Sequence, residues 1–135
     1  MTLENLERIG QLHREPADKR EFEGLLKSAL DRLKDADNKS LSFTSRFDLA
    51  CNAAHGLALA ALRTSGYRTD KRYLVFQCLS HTTNIDKGII RLFSMCHDRR
   101  NLAEYEGCLE VDEQLLSELI QHARTLSKLV KVIKL

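Results

Sequence analysis

From Cys96 to Gly107 the chain reads CHDRRNLAEYEG, and the step Arg100–Asn101 inside it is the strongest candidate for chemistry in the sequence. A guanidinium binds phosphate through two parallel hydrogen bonds, and the Asn101 amide can hold a second phosphate oxygen or a base edge. At about 100° per residue, Arg100 falls in the arc of Ile89, Phe93 and Cys96 and so faces a packed surface. A buried guanidinium needs an acid, a polar partner or a cleft to look into. Glu104, one turn further on, is the nearest acid, so a purely structural Arg100–Glu104 pair stands beside the cleft reading. Arg99, Arg91 and the group Arg68, Lys71 and Arg72 could extend a cationic patch, although scattered surface charge is the plainer account. His97, Glu104 and Cys108 do not have the spacing of a zinc site, and no metal is expected.

These residues need a scaffold, and one proline with six glycines in 135 residues leaves little material for a turn-rich β fold. Helical periodicity runs through most of the chain. A short amphipathic helix is expected from Leu3 to Arg14, stopped by Pro16. A second, from Ala17 to Asp35, carries Phe22, Leu25, Leu26, Ala29, Leu30 and Leu33 on one face. The stretch Phe47 to Leu62 is apolar nearly all round and belongs at the centre of a bundle, with Ser45 as its capping residue and SGY (65–67) as its stop. A helix over Lys71 to His81 follows, then one from about Asn84 into the Arg100 segment. A last helix begins with acids at VDEQ and ends with Lys128, Lys131 and Lys134, a polarity suited to the helix dipole. The expected fold is all-α, an antiparallel bundle of four to five helices in a single domain spanning 1–135.

Composition narrows the function classes. Hydrophobic residues at 43% and charged residues at 30% fit one globular core, and no apolar run reaches the roughly 20 residues that span a bilayer. The opening MTLENLERIGQLHRE lacks the apolar stretch of a secretory signal, which points to the cytoplasm and to no membrane partner. Cys51, Cys78, Cys96 and Cys108 are widely spaced and read as free thiols. A net charge of +2 favours anionic partners only slightly. There is no Gly-rich phosphate loop, and no cofactor is expected.

The segment RRNLAEYEG, followed by a closing helix that starts VDEQLLSELI, resembles the HEPN family (higher eukaryotes and prokaryotes nucleotide-binding). The stretch FDLACNAAHGLALAALRTSGYRT is similar to the core helix of one bacterial branch of that family. The resemblance implies a HEPN-like bundle that pairs as a two-fold homodimer around a basic cleft, with RNA or a nucleotide as ligand. It also implies metal-independent endoribonuclease chemistry from an arginine, the polar residue after it and a histidine about a turn beyond. Arg100 and Asn101 match the first two, and Tyr105 stands where the histidine belongs. A tyrosine with a pKa of about 10 is a poor base where histidine, at about 6.5, would serve. His97, three residues before Arg100, could replace it in reversed order, though a surface histidine is the plainer expectation. His81 could do so only if its helix packs alongside. The resemblance further implies a toxin–antitoxin or phage-defence setting, with a nucleotidyltransferase-type antitoxin partner for which Tyr105 would be the acceptor. The alternative is a non-enzymatic helical dimerisation or protein-interaction module.

Overall fold

The structure is a computed structural model and describes residues 2–135. In chain order it contains α1 (Leu3–Arg8), β1 (His13–Arg14), α2 (Lys19–Ala36), α3 (Phe43–Thr64), β2 (Tyr67–Arg68), α4 (Arg72–Gln77), α5 (Leu79–Thr82), α6 (Lys87–Glu106) and α7 (Glu113–Lys131). The fold is an all-α helical bundle, with α2, α3, α6 and α7 as its long members and one short antiparallel ladder between β1 and β2. Among the described residues no helix is long and apolar enough to cross a membrane.

Helix α3 is central, as its uninterrupted apolar sequence requires. Phe47, Ala50, Ala53, Ala54, Leu57, Ala58, Ala60, Ala61 and Leu62 are each at most 1% exposed. Its alanines let α2, α7, α4 and α6 all approach the same rod. The cap of α3 lies earlier than its sequence indicates, because the Ser42 hydroxyl accepts from the Ser45 amide (3.2 Å) and the helix is already under way at Phe43. Asp18 and Asp112 cap α2 and α7 in the same manner.

Three expected helices have different limits. The first ends at Arg8, not Arg14, because Gly10 takes φ 80° and the amides of Gln11 and Leu12 both turn back to the Leu6 carbonyl (2.9 and 3.2 Å). That turn drops Leu12 into the core, and His13 and Arg14 then pair with Arg68 and Tyr67. The helix expected over Lys71 to His81 divides at Cys78, and the Thr82 and Thr83 hydroxyls bond back to the carbonyls of Cys78 and Leu79 (3.3 and 3.0 Å). Helix α6 begins at Lys87 and not at Asn84, since Ile85 is spent on the core before the helix starts.

Two buried arginines fasten the bundle ends. Arg63 donates Nη1 to the carbonyls of Glu15 (2.9 Å) and Tyr67 (3.2 Å), Nη2 to that of Pro16 (2.7 Å), and Nε to the Glu21 carboxylate. Arg68 pairs with the same Glu15 and Glu21, so it belongs to this network and is not part of a patch with Lys71 and Arg72. Arg46 donates Nε to the Ala36 carbonyl (2.8 Å), satisfying an orphan acceptor at the end of α2.

Candidate functional site

Ile90, Phe93 and Cys96 press α6 against the bundle, and that stripe fixes where the neighbouring polar side chains go. Arg100 lies at the edge of the buried face with 17% of its side chain exposed. Its Nε donates to Asp48 Oδ1 on α3 (3.0 Å), and its Nη2 lies 3.3 Å from Glu104 Oε1. The i,i+4 pair legible in the sequence is therefore present, joined by a second acid that sequence spacing does not reveal. The third donor, Nη1, reaches Asn101 Oδ1 (3.3 Å).

That contact sets the direction of a longer chain. With Oδ1 accepting from Arg100, the Asn101 amide must present its Nδ2 hydrogen to His97 Nε2, 3.2 Å away. His97 therefore accepts at Nε2 and carries its proton on Nδ1, a buried donor with no hydrogen-bond partner among the described residues. His97 is 6% exposed, which overturns the expectation of a surface histidine. Its ring packs edge-on to Phe76, with centroids 5.9 Å apart, and His55 meets Phe76 from elsewhere at the same separation.

Both imidazoles are held neutral. Burial first, then the charge of Arg72, lowers the pKa of His55 to about 4, and burial, Arg72 and Arg100 lower that of His97. The unfolded chain takes up these protons from about pH 6.5 downward. The folded chain takes up that of His55 only near pH 4, so protons favour unfolding between the two. Stability should be full above about pH 7 and fall by up to about 3 kcal/mol from His55 as the pH drops through this window. Urea titrations at stepped pH would measure the fall, and an undiminished fall in His55→Gln would refute its assignment to His55.

Beside this chain opens a cleft of about 550 Å³, lined by Lys71, Arg72 and Tyr73 from the start of α4 and by His97, Asp98 and Asn101 from α6. Lys71 Nζ donates to Gln11 Oε1 (2.7 Å), and Arg72 Nη1 to the neutral Asn52 Oδ1 (3.2 Å). Tyr73 is exposed at the rim. The cleft thus offers two cations that form no ion pair among the described residues, an aromatic face and a fixed amide, with the Asp98 carboxylate on the same wall.

The structure brings Arg100, Asn101, His97 and Glu104 together and leaves the other candidates apart. Tyr105 is 90% exposed and does not line the cleft. Arg99 turns towards α7, donating to the Glu110 carbonyl (2.7 Å). His81 is exposed at the end of α5. Asp48, Asn52 and Phe76 were missed because their roles depend on which helix faces α6. The burial of His97, against the surface expectation, had a signal in the sequence, its place within about 40° of Phe93 on the α6 wheel. Cys51, Cys78 and Cys96 are free and buried; burial raises all three thiols, those of Cys78 and Cys96 to about 11 and about 12, which leaves them unreactive. His97, Glu104 and Cys108 do not converge, and among the described residues no group of three such side chains could hold a metal.

No family model matches the chain, and neither a curated protein nor a solved structure matches it.

Proposed function

We propose that the chain is a HEPN-like RNA- or nucleotide-associated protein whose ligand binds in the Arg72 cleft and is not cut there. The observation that carries this reading is Arg72, an exposed guanidinium bonded among the described residues only to a neutral amide and set beside Lys71, Tyr73 and Asn101. Phosphate would meet Lys71 and Arg72, a base would stack on Tyr73, and Asn101 would read a base edge or a phosphate oxygen. Arg100 acts on this site as a positioning residue, because it fixes which end of the Asn101 amide faces His97.

Cleavage is disfavoured by the same geometry. A general base must offer a lone pair to the 2′-hydroxyl, and the Nε2 lone pair of His97 is already engaged by Asn101 while its Nδ1 is buried. Tyr105 lies outside the cleft.

Fluorescence anisotropy on labelled single-stranded RNA in chelator, with a gel run in parallel, tests the reading. Wild type should bind and leave the RNA intact, and Arg72→Ala should bind about tenfold more weakly, the size expected for one charge-assisted hydrogen bond. Cleavage that disappears in His97→Ala would instead establish an enzyme. The second reading, a non-enzymatic interaction module, is favoured by the Asp48 and Glu104 contacts that occupy Arg100. It requires that wild type not bind RNA while Arg100→Ala still lowers stability.

A further inference from the structure

The start of α6 carries charges that a helix start disfavours. Lys87 is its first residue, where the dipole favours an acid, and the first turn holds no acidic residue. Arg91 follows at i+4, a like-charge neighbour that Lys87 repels. Both side chains are exposed, and neither forms an ion pair among the described residues. Helix stability therefore gives no reason for this pair of cations.

Opposite them, Gln77 at the end of α4 and Ser80 on α5 complete a cleft of about 300 Å³, with the buried Ile90 beneath. No carboxylate of the described residues lines it. The Gln77 amide uses one Nε2 hydrogen on Ser94 Oγ (3.5 Å) and keeps the other free. The Ser80 hydroxyl rests on the Gln77 carbonyl (3.1 Å) and, being exposed, can turn towards the cleft. Two cations and two neutral donors thus surround one space. The Arg91 fork alone would satisfy both oxygens of a carboxylate, whereas a phosphoryl group, with three terminal oxygens and up to about two charges, uses the whole set. We infer that this cleft is a phosphoryl-binding site, in which Arg91 takes two oxygens and Lys87 and the Gln77 amide take the third.

The site lies on the same α4–α6 seam as the Arg72 cleft, beyond the Gln77–Ser94 bond. Arg91 stands about 9 Å along α6 from His97. The phosphoryl group comes either from a free phosphorylated molecule or from the backbone of a nucleic-acid strand held in both clefts. Only the second source rests on the function proposed above.

Titration of inorganic phosphate into isotope-labelled protein, at an ionic strength kept constant with chloride, tests the site by NMR. Amide shifts at Gln77, Ser80, Lys87 and Arg91 should saturate with a Kd of about 1 mM. Arg91→Ala should weaken this binding at least about tenfold, and Arg91→Lys should retain part of it. Lys87→Glu should abolish it yet raise the urea midpoint, because an acid then opens the helix and pairs with Arg91. Shifts at these residues that do not saturate, that saturate equally in Arg91→Ala, or a lowered midpoint in Lys87→Glu would each overturn the assignment. Anisotropy on a labelled oligouridylate of about eight nucleotides separates the sources. Affinity lowered by Arg91→Ala as well as by Arg72→Ala identifies a strand. Phosphate binding that needs Arg91, beside RNA binding that is absent or indifferent to it, identifies a small phosphorylated ligand, and absent RNA binding then overturns the proposed function without touching this site.

Discussion

Replacing Arg63 with alanine should lower the free energy of unfolding by about 3–5 kcal/mol, the cost of removing one partner from a buried, multiply bonded ion pair. Arg63 is 3% exposed, and its guanidinium satisfies three backbone carbonyls and the Glu21 carboxylate at once. Alanine would leave the three carbonyls without this donor and Glu21 with Arg68 alone, and the gap would admit water only at the expense of the surrounding packing. Arg63→Lys should recover a minor part, since an ammonium keeps the charge but cannot span acceptors lying on the segment before α2, on α2 and after α3. Urea denaturation would show a lowered midpoint with unchanged slope. A loss below about 1 kcal/mol would mean that the network contributes no more than a surface pair.

Phe76→Ala is expected to match that cost by a different route, about 3–5 kcal/mol from lost burial and the cavity left behind. Phe76 is buried on α4, touches Phe93 at 5.8 Å between ring centroids, and shields the rings of His55 and His97. Water entering the space should let His55 titrate well above its present value of about 4, towards the ordinary 6.5 or so. Phe76→Leu should cost much less, because it retains most of the apolar volume. NMR titration of the ring protons separates the two effects. A destabilised Phe76→Ala in which His55 still titrates near 4 would show that the ring does not provide the shielding.

The helical class of the fold was legible because its signals are local. Period and all-round apolarity suffice to put α3 in the middle, since a rod with no polar side must be covered on every side. The Arg100–Glu104 pair was legible for the same reason, one helical turn being visible in a sequence. Contacts between distant segments were not legible. Gly10 falls inside the helix expected from Leu3 to Arg14, and only the pairing of His13 and Arg14 with Arg68 and Tyr67 shows why the chain turns there and ends α1. Asp48 lies 52 residues from Arg100, and no spacing rule connects them. The candidate site was thus half visible. The α6 residues could be named, whereas Arg72 appeared only as one charge among several until α4 was seen packed against His97.

The β1–β2 ladder joins residues as much as 55 positions apart in the chain, His13 with Arg68 and Arg14 with Tyr67. Closing a loop of that length costs entropy before any contact rewards it, whereas α2 and α3 are sequence neighbours and pack extensively without it. The segment ahead of α2 should therefore dock after the transition state for folding, when the helical pair it lies across is already formed. Contacts made that late govern escape from the native state more than arrival in it. The strap then sets how long a folded molecule survives, and damage to it, as in Arg63→Ala, should appear mainly as faster unfolding with refolding little changed.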